Sequence, residues 1–308
     1  MNGARVLFVV GETASGKHEI ALALAARLGG EILSLDSMKV YRGMDVGTSK
    51  PSPAARAAVP HHLLDLVDPS QEFSVAEYLG LALAAVEDVL ARGQLPIFAG
   101  GTGLYLLALT RGLFEGPAGD PSLRARILAE AAGPQDLHAR LARVDPERAN
   151  ELHPRDVKRI VRAIEIYELS GLPMSKHLRE SPHRTLRYPC RIFGIARDPA
   201  DLLARIASRT ERLFAAGFVE EVRRLHADTR LTPGRQAGQA VGYRDVAEFL
   251  AGRCDLANCV AEVERSTRRL ARRQRTWFRG FRELTSIHMA HDESPARAVE
   301  RIVSSWTG

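Results

Sequence analysis

Along the first hundred residues the apolar positions follow two alternating patterns. Short, mostly apolar runs at 6–10, 31–35 and 95–99 have the length and continuity of strands buried on both faces. Between them, apolar residues recur at helical spacing over 17–28 and 75–91. Strand and helix in alternation predict a parallel α/β sheet. From 120 to 183 the strand runs vanish, and the chain becomes helical and Arg-rich, punctuated by Gly133-Pro134, Asp145-Pro146, His153-Pro154 and Gly171-Leu172-Pro173. A strand-like run returns at 190–195, and helical periodicity then continues from 201 to 282 around a loop at 231–237. The expected organisation is a core of residues 1–119 and 189–308 with a helical insertion at 120–188.

Composition narrows the class. The chain has 308 residues, 45% of them apolar and 26% charged, which excludes disorder, collagen and coiled coil. The run at 6–10 is too short for a membrane span, so a cytoplasmic protein without membrane contact is expected, working as a monomer. Three scattered cysteines, Cys190, Cys254 and Cys259, give neither a disulfide framework nor a zinc pattern. The formal charge is +6, carried by 38 arginines and only five lysines, Lys17, Lys39, Lys50, Lys158 and Lys176. In so Arg-rich a chain, a lysine marks a position that needs a compact ammonium.

The chemistry begins at Gly11, Glu12, Thr13, Ala14, Ser15, Gly16 and Lys17. These residues follow a β-branched strand and open an amphipathic helix, the context in which a GxxxxGK string becomes a phosphate cradle. A dinucleotide fingerprint does not fit, because the glycines at 11 and 16 lack its spacing. A nucleotide hydrolase would carry Ser or Thr after the lysine and an apolar strand ending in Asp. This chain has His18, and the run at 95–99 leads into Gly100-Gly101-Thr102-Gly103. A diphosphate acting as a leaving group suits the cradle better, with Thr102 on a glycine turn beside it. The run at 31–35 delivers Asp36-Ser37 at the strand's C-terminal edge, where Asp36 could act as a general base, a magnesium ligand or a helix cap. Eight arginines and no acid between 265 and 282 suggest a helix with Val263, Leu270 and Trp277 as its packing stripe and a basic surface able to track phosphates. Adjacent His61 and His62 have no third ligand nearby in sequence and read as structural.

The motifs together resemble one family, the tRNA dimethylallyltransferases (tRNA isopentenyltransferases), over nearly the whole chain. The matching stretches are the loop at 11–17, the run from Asp36-Ser37-Met38-Lys39 to Lys50-Pro51, the run from Pro60-His61-His62 to Asp65, Gly100-Gly101-Thr102-Gly103-Leu104-Tyr105, the run from Arg159 to Glu165, Val241-Gly242-Tyr243 and the run from Ala271 to Phe278. The resemblance implies a P-loop NTPase-like α/β core, a parallel sheet flanked by helices, with a tRNA-binding helical insertion. It implies transfer of the dimethylallyl group of dimethylallyl diphosphate to N6 of the adenine 3′ to the tRNA anticodon, with Mg2+. Asp36, Thr102 and Arg209 would be catalytic, and residues 11–18, ending at His18, would bind the diphosphate. Asp36, Ser37, Met38, Lys39, Thr102, Arg124, Lys158, Arg159 and Arg162 would contact the anticodon stem-loop.

This chain departs from the family pattern at four positions. Glu12 stands for the usual proline, His18 for Ser or Thr, and Lys39 and Lys158 for glutamine. Glu12 must point away from the diphosphate or pair with a cation, and His18 either donates to the diphosphate when protonated or leaves magnesium to diphosphate oxygens and water. Lys39 and Lys158 would either alter base reading or reach phosphates. The alternatives are a tRNA-binding paralogue without prenyl transfer and a P-loop kinase.

Overall fold

A computed structural model describes residues 6–113, 116–180, 186, 189–228, 230–231 and 235–307. The centre of the loop at 231–237 and the end of the insertion, at 181–185 and 187–188, lie outside the described residues. The chain divides into two compact units, Met1–Thr110 with Arg187–Gly308, and Arg111–Leu186.

The first unit is built on a parallel sheet. Its first half runs β1 (Val6–Gly11), α1 (Lys17–Leu28), β2 (Gly30–Leu35), α2 (Pro53–Ala58), β3 (His61–His62), α3 (Val75–Ala91), β4 (Leu95–Gly100) and α4 (Gly103–Arg111). After the intervening unit come β5 (Cys190–Arg197), α10 (Pro199–Ala215), α11 (Phe218–Ala227), α12 (Tyr243–Leu250), α13 (Leu256–Arg279), β6 (Leu284–Met289) and α14 (Pro295–Thr307). The strand order is β3-β2-β4-β1-β5-β6.

Every residue of β1 is buried. Val6, Phe8 and Val10 enter one core with Tyr78 and Ala82 of α3 and Leu106 of α4. Leu7 and Val9 enter the other, with Ile20 and Leu24 of α1 and Ala298 and Ile302 of α14. Each such side chain contributes about 1.5–3 kcal/mol by leaving water, so continuous apolarity holds the central strand between two helical layers.

The register sets the site. Gly100 pairs with Val10 on one side and with Leu35 on the other, and Gly11 pairs with Ile195. Parallel strands end at the same edge, so the segments after β1, β2, β4 and β5 converge there.

The second unit packs α5 (Pro121–Glu130), α6 (Pro134–Val144), α7 (Pro146–Glu151), α8 (Val157–Ser170) and α9 (Met174–Glu180) around Leu123, Ile127, Leu141, Ile160 and Ile164. Its Asp120-Pro121, Gly133-Pro134 and Asp145-Pro146 steps are helix starts, with proline in the first turn where its missing N–H costs nothing.

Candidate active site

The convergent segments enclose a cavity of about 2150 Å3, lined by Lys17, His18, Asp36, Lys39, Thr102 and Arg209 together with residues of α13. Its floor is the loop at 11–17. Gly16 caps α1 in the left-handed region, at φ 89°, and no side chain satisfies the helix N-terminus, so the first N–H groups are left for an anion.

The loop is held residue by residue. Arg205 Nε donates to Ala14 O (2.8 Å), Arg197 Nε to Ser15 O (2.8 Å) and Arg209 Nη1 to Thr13 Oγ1 (2.7 Å). Gln274 accepts from Thr13 N (2.8 Å) and donates to Gly101 O (3.1 Å), tying the loop to the glycine turn after β4. Glu12 is buried and meets the Arg275 guanidinium, which supplies the cation that its charge required. Arg197 is itself fixed by Asp201 (2.8 Å), whose other oxygen meets His291 Nδ1 (2.9 Å). Sequence reasoning missed Arg197, Arg205, Gln274 and Arg275 as loop partners, since nothing local to residues 11–17 points to them.

Asp36 follows β2 in a bend rather than a helix, so helix capping is not its role. Its Oδ1 accepts from Met38 N (2.9 Å) in a side-chain turn. Thr102 Oγ1 accepts from Ser37 N (3.1 Å), and the N–H groups of Gly101 and Thr102 both donate to Leu35 O (3.1 Å). The Thr102 hydroxyl therefore stands beside the Asp36 bend with its own proton available to donate. The glycines of this turn leave room for α13: a Cβ on Gly103 would lie 2.8 Å from the Trp277 ring.

Burial dominates the electrostatics. It pushes Lys17 down to about 7, helped by Arg209 and Lys39 and opposed by Asp36 and Glu12. His18 falls to about 3, through burial first and then repulsion from Lys39, His61 and Lys17, and its ring centroid lies 5.4 Å from that of His61. Its surroundings thus disfavour a charged imidazole, which favours the second of the two alternatives, that His18 leaves magnesium to diphosphate oxygens and water. His18→Ser should accordingly leave the pH dependence of kcat/KM unchanged between roughly pH 6 and 7, where histidine ordinarily titrates. A pH step in that range present in the parent and lost in the variant would contradict this.

His61 and His62 are structural, as expected: His61 Nδ1 pairs with Val59 O (2.7 Å) and His62 Nε2 with the buried Glu31 (2.6 Å). The stripe on α13 is corrected. Packing into the core is carried by Cys259, Val263, Ala271 and Phe278, while Leu270 and Trp277, with Thr267 and Gln274, line the cavity. Many of the arginines on this helix remain outward, Arg269, Arg272 and Arg279 among them, while Arg273 reaches the cavity. Another residue missed in the sequence is Glu221. It accepts from Asp45 N (2.8 Å), Val46 N (2.6 Å), Gly47 N (3.0 Å) and Tyr243 Oη (2.6 Å), fixing a loop of the cavity wall.

In the helical unit, Lys158 and Arg159 are exposed in the first turn of α8. Arg124 Nε (2.9 Å) and Arg162 Nη1 (2.5 Å) both meet the fully buried Glu165, which also accepts from Asp120 N (2.6 Å). Breaking this cluster at Glu165 would leave two guanidinium groups without their partner.

Comparison with known proteins agrees with this geometry. The family model for IPP transferases matches residues 39–281. The chain is 48% identical over 280 residues to a tRNA dimethylallyltransferase of Halorhodospira halophila, covering 90% of each chain. It superposes on the full-length tRNA isopentenylpyrophosphate transferase of Bacillus halodurans with a TM-score of 0.74 and 34% identity, covering 99% of this chain and 96% of that one. A eukaryotic dimethylallyltransferase acting on tRNA gives a TM-score of 0.83 at 25% identity, covering 98% and 80%.

Proposed function

The chain belongs to the IPP transferase family, and from that premise we propose that it transfers the dimethylallyl group of dimethylallyl diphosphate to N6 of the adenine 3′ to the anticodon in tRNA. The observation that carries this reading is one cavity shared by a phosphate cradle, a carboxylate, a hydroxyl with a free proton and an arginine anchored to the cradle. The adenine N6 forms a bond to the allylic carbon as the carbon–oxygen bond breaks, and the electron pair leaves with diphosphate. The loop N–H groups, Lys17 and Arg209 stabilise the departing charge, and Thr102 donates to the leaving oxygen. Asp36 takes the N6 proton. The adenine must leave its stack to reach so enclosed a donor.

For tRNA, the outward arginines of α13 supply a surface matched to the phosphate backbone. Ser37 and Met38 beside Asp36, with Lys158, Arg159, Arg124 and Arg162 of the helical unit, are proposed to hold the anticodon stem-loop. The proposed working form is a cytoplasmic monomer; no helix among the described residues is long and apolar enough to cross a membrane.

Magnesium is the proposed cofactor, held chiefly by diphosphate oxygens and water. Among the described residues no three His, Cys, Asp or Glu side chains converge, and the position after Lys17 offers a neutral imidazole. An ion there would be held by at most one or two side chains together with the diphosphate, and would supply charge neutralisation to the leaving group.

The test is to incubate the protein with dimethylallyl diphosphate, magnesium and unmodified tRNA and to weigh the nucleosides. Adenosine carrying one dimethylallyl group at the position 3′ to the anticodon is the expected product. Unchanged nucleosides despite tRNA binding, or phosphate transfer from ATP instead, would overturn the reading.

A further inference from the structure

The donor cavity holds more positive charge than the phosphate loop and its arginine supply. Lys39 lies in the bend after β2, half-buried, on the wall of the same cavity as Lys17 and Arg209. Burial lowers it to about 8, with attraction to Asp36 opposing repulsion from Arg209, Lys50 and Arg56. Lys17 senses the same group, repelled by Lys39 and Arg209 and drawn to Asp36.

Lys50 differs from Lys39, for its ammonium is spent on Tyr41 O, Asp45 and Asp65. No described residue gives the Lys39 ammonium a comparable hydrogen bond. Lys17, Lys39 and Arg209 thus line one cavity with Asp36 and each feels its carboxylate, while the surroundings of the adjacent His18 disfavour a charge on it. Such a concentration of cationic side chains favours a compact polyanion, whose charge would hold both lysines protonated, and an ammonium has no acceptor with which to pair an adenine edge.

We propose that Lys39 is a ligand of the donor's diphosphate, acting with Lys17 and Arg209, and not a reader of an anticodon-loop base. The assignment rests on the prenyl-transfer reading above. It gives this chain a third cationic side chain against the charge that develops on the leaving group.

The experiment titrates inorganic pyrophosphate into the full-length protein by calorimetry in EDTA at pH 7, and separately measures affinity for an anticodon stem-loop. Lys39→Gln should weaken pyrophosphate binding by roughly tenfold to a hundredfold, the scale of one charge-assisted hydrogen bond, and change stem-loop affinity by less than about twofold. Lys39→Arg, which restores the charge, should recover much of the loss. Unchanged pyrophosphate affinity in Lys39→Gln, with an altered preference among stem-loops varied beside the target adenine, would overturn the assignment and make Lys39 a base reader. If the parent protein itself failed to bind pyrophosphate, the prenyl-transfer reading would fall together with this one.

Discussion

Replacing Asp36 with asparagine should slow prenyl transfer by about 10²–10⁴-fold, the range attached to a positioned general base, while pyrophosphate and tRNA affinities stay near those of the parent. The substitution is discriminating because Asp36 has two separable tasks. Its Oδ1 accepts from Met38 N and shapes the bend that presents Ser37 to Thr102. Asparagine keeps an acceptor for that bond and loses only basicity. Asp36→Ala removes both, so it should add a binding defect to the loss of rate. Single-turnover kinetics on a stem-loop separate the two, and a near-parental rate for Asp36→Asn would remove the residue from the chemistry.

Arg209→Ala should lower the rate of bond breaking by about 10²–10³-fold, the scale for removing one preorganised donor from a developing anion. Arg209 is half-buried and donates to Thr13 Oγ1, so it arrives in the cavity already oriented by the loop it serves. Arg209→Lys should recover only part of the rate, since one ammonium replaces a planar fork able to hold Thr13 and a phosphate oxygen together. Thr102→Ala should act in the same direction. If either variant changed only the KM for tRNA, the leaving-group role would be wrong.

Much of the sheet was legible because its strands are buried on both faces. The runs at 6–10, 31–35 and 95–99 lie within β1, β2 and β4, and helices 17–28 and 75–91 keep their expected ends, fixed by Gly29 after α1 and by the Ser74–Glu77 capping box at α3. The edge strands were not legible. β3 is only His61–His62, and β6 buries only Ile287 and Met289 within Leu284–Met289, a pattern too short and polar to stand out. In the site, Lys17, Asp36 and Thr102 could be read because each sits at a strand end marked by its own local motif. Gln274 and Arg275 could not, since their loop partners Thr13 and Glu12 lie more than 250 residues away and only the folded register joins them. The α13 stripe misled for a related reason: apolar spacing does not distinguish a core from the wall of a cavity.

The position of β1 also has a consequence for biosynthesis. Its partners are β4 on one side and β5 on the other, and the whole second unit is encoded between them. After α4 has been made, β1 is the outer strand of a β3-β2-β4-β1 sheet, fully apolar and unpaired along one edge. At about 5–20 residues per second, translating the roughly 80 residues up to β5 leaves that edge bare for roughly 4–16 seconds. An exposed apolar edge is a template for aggregation. A nascent chain arrested between α4 and β5 should therefore be far more prone to aggregation, and to capture by chaperones, than one released after β6 has closed the sheet.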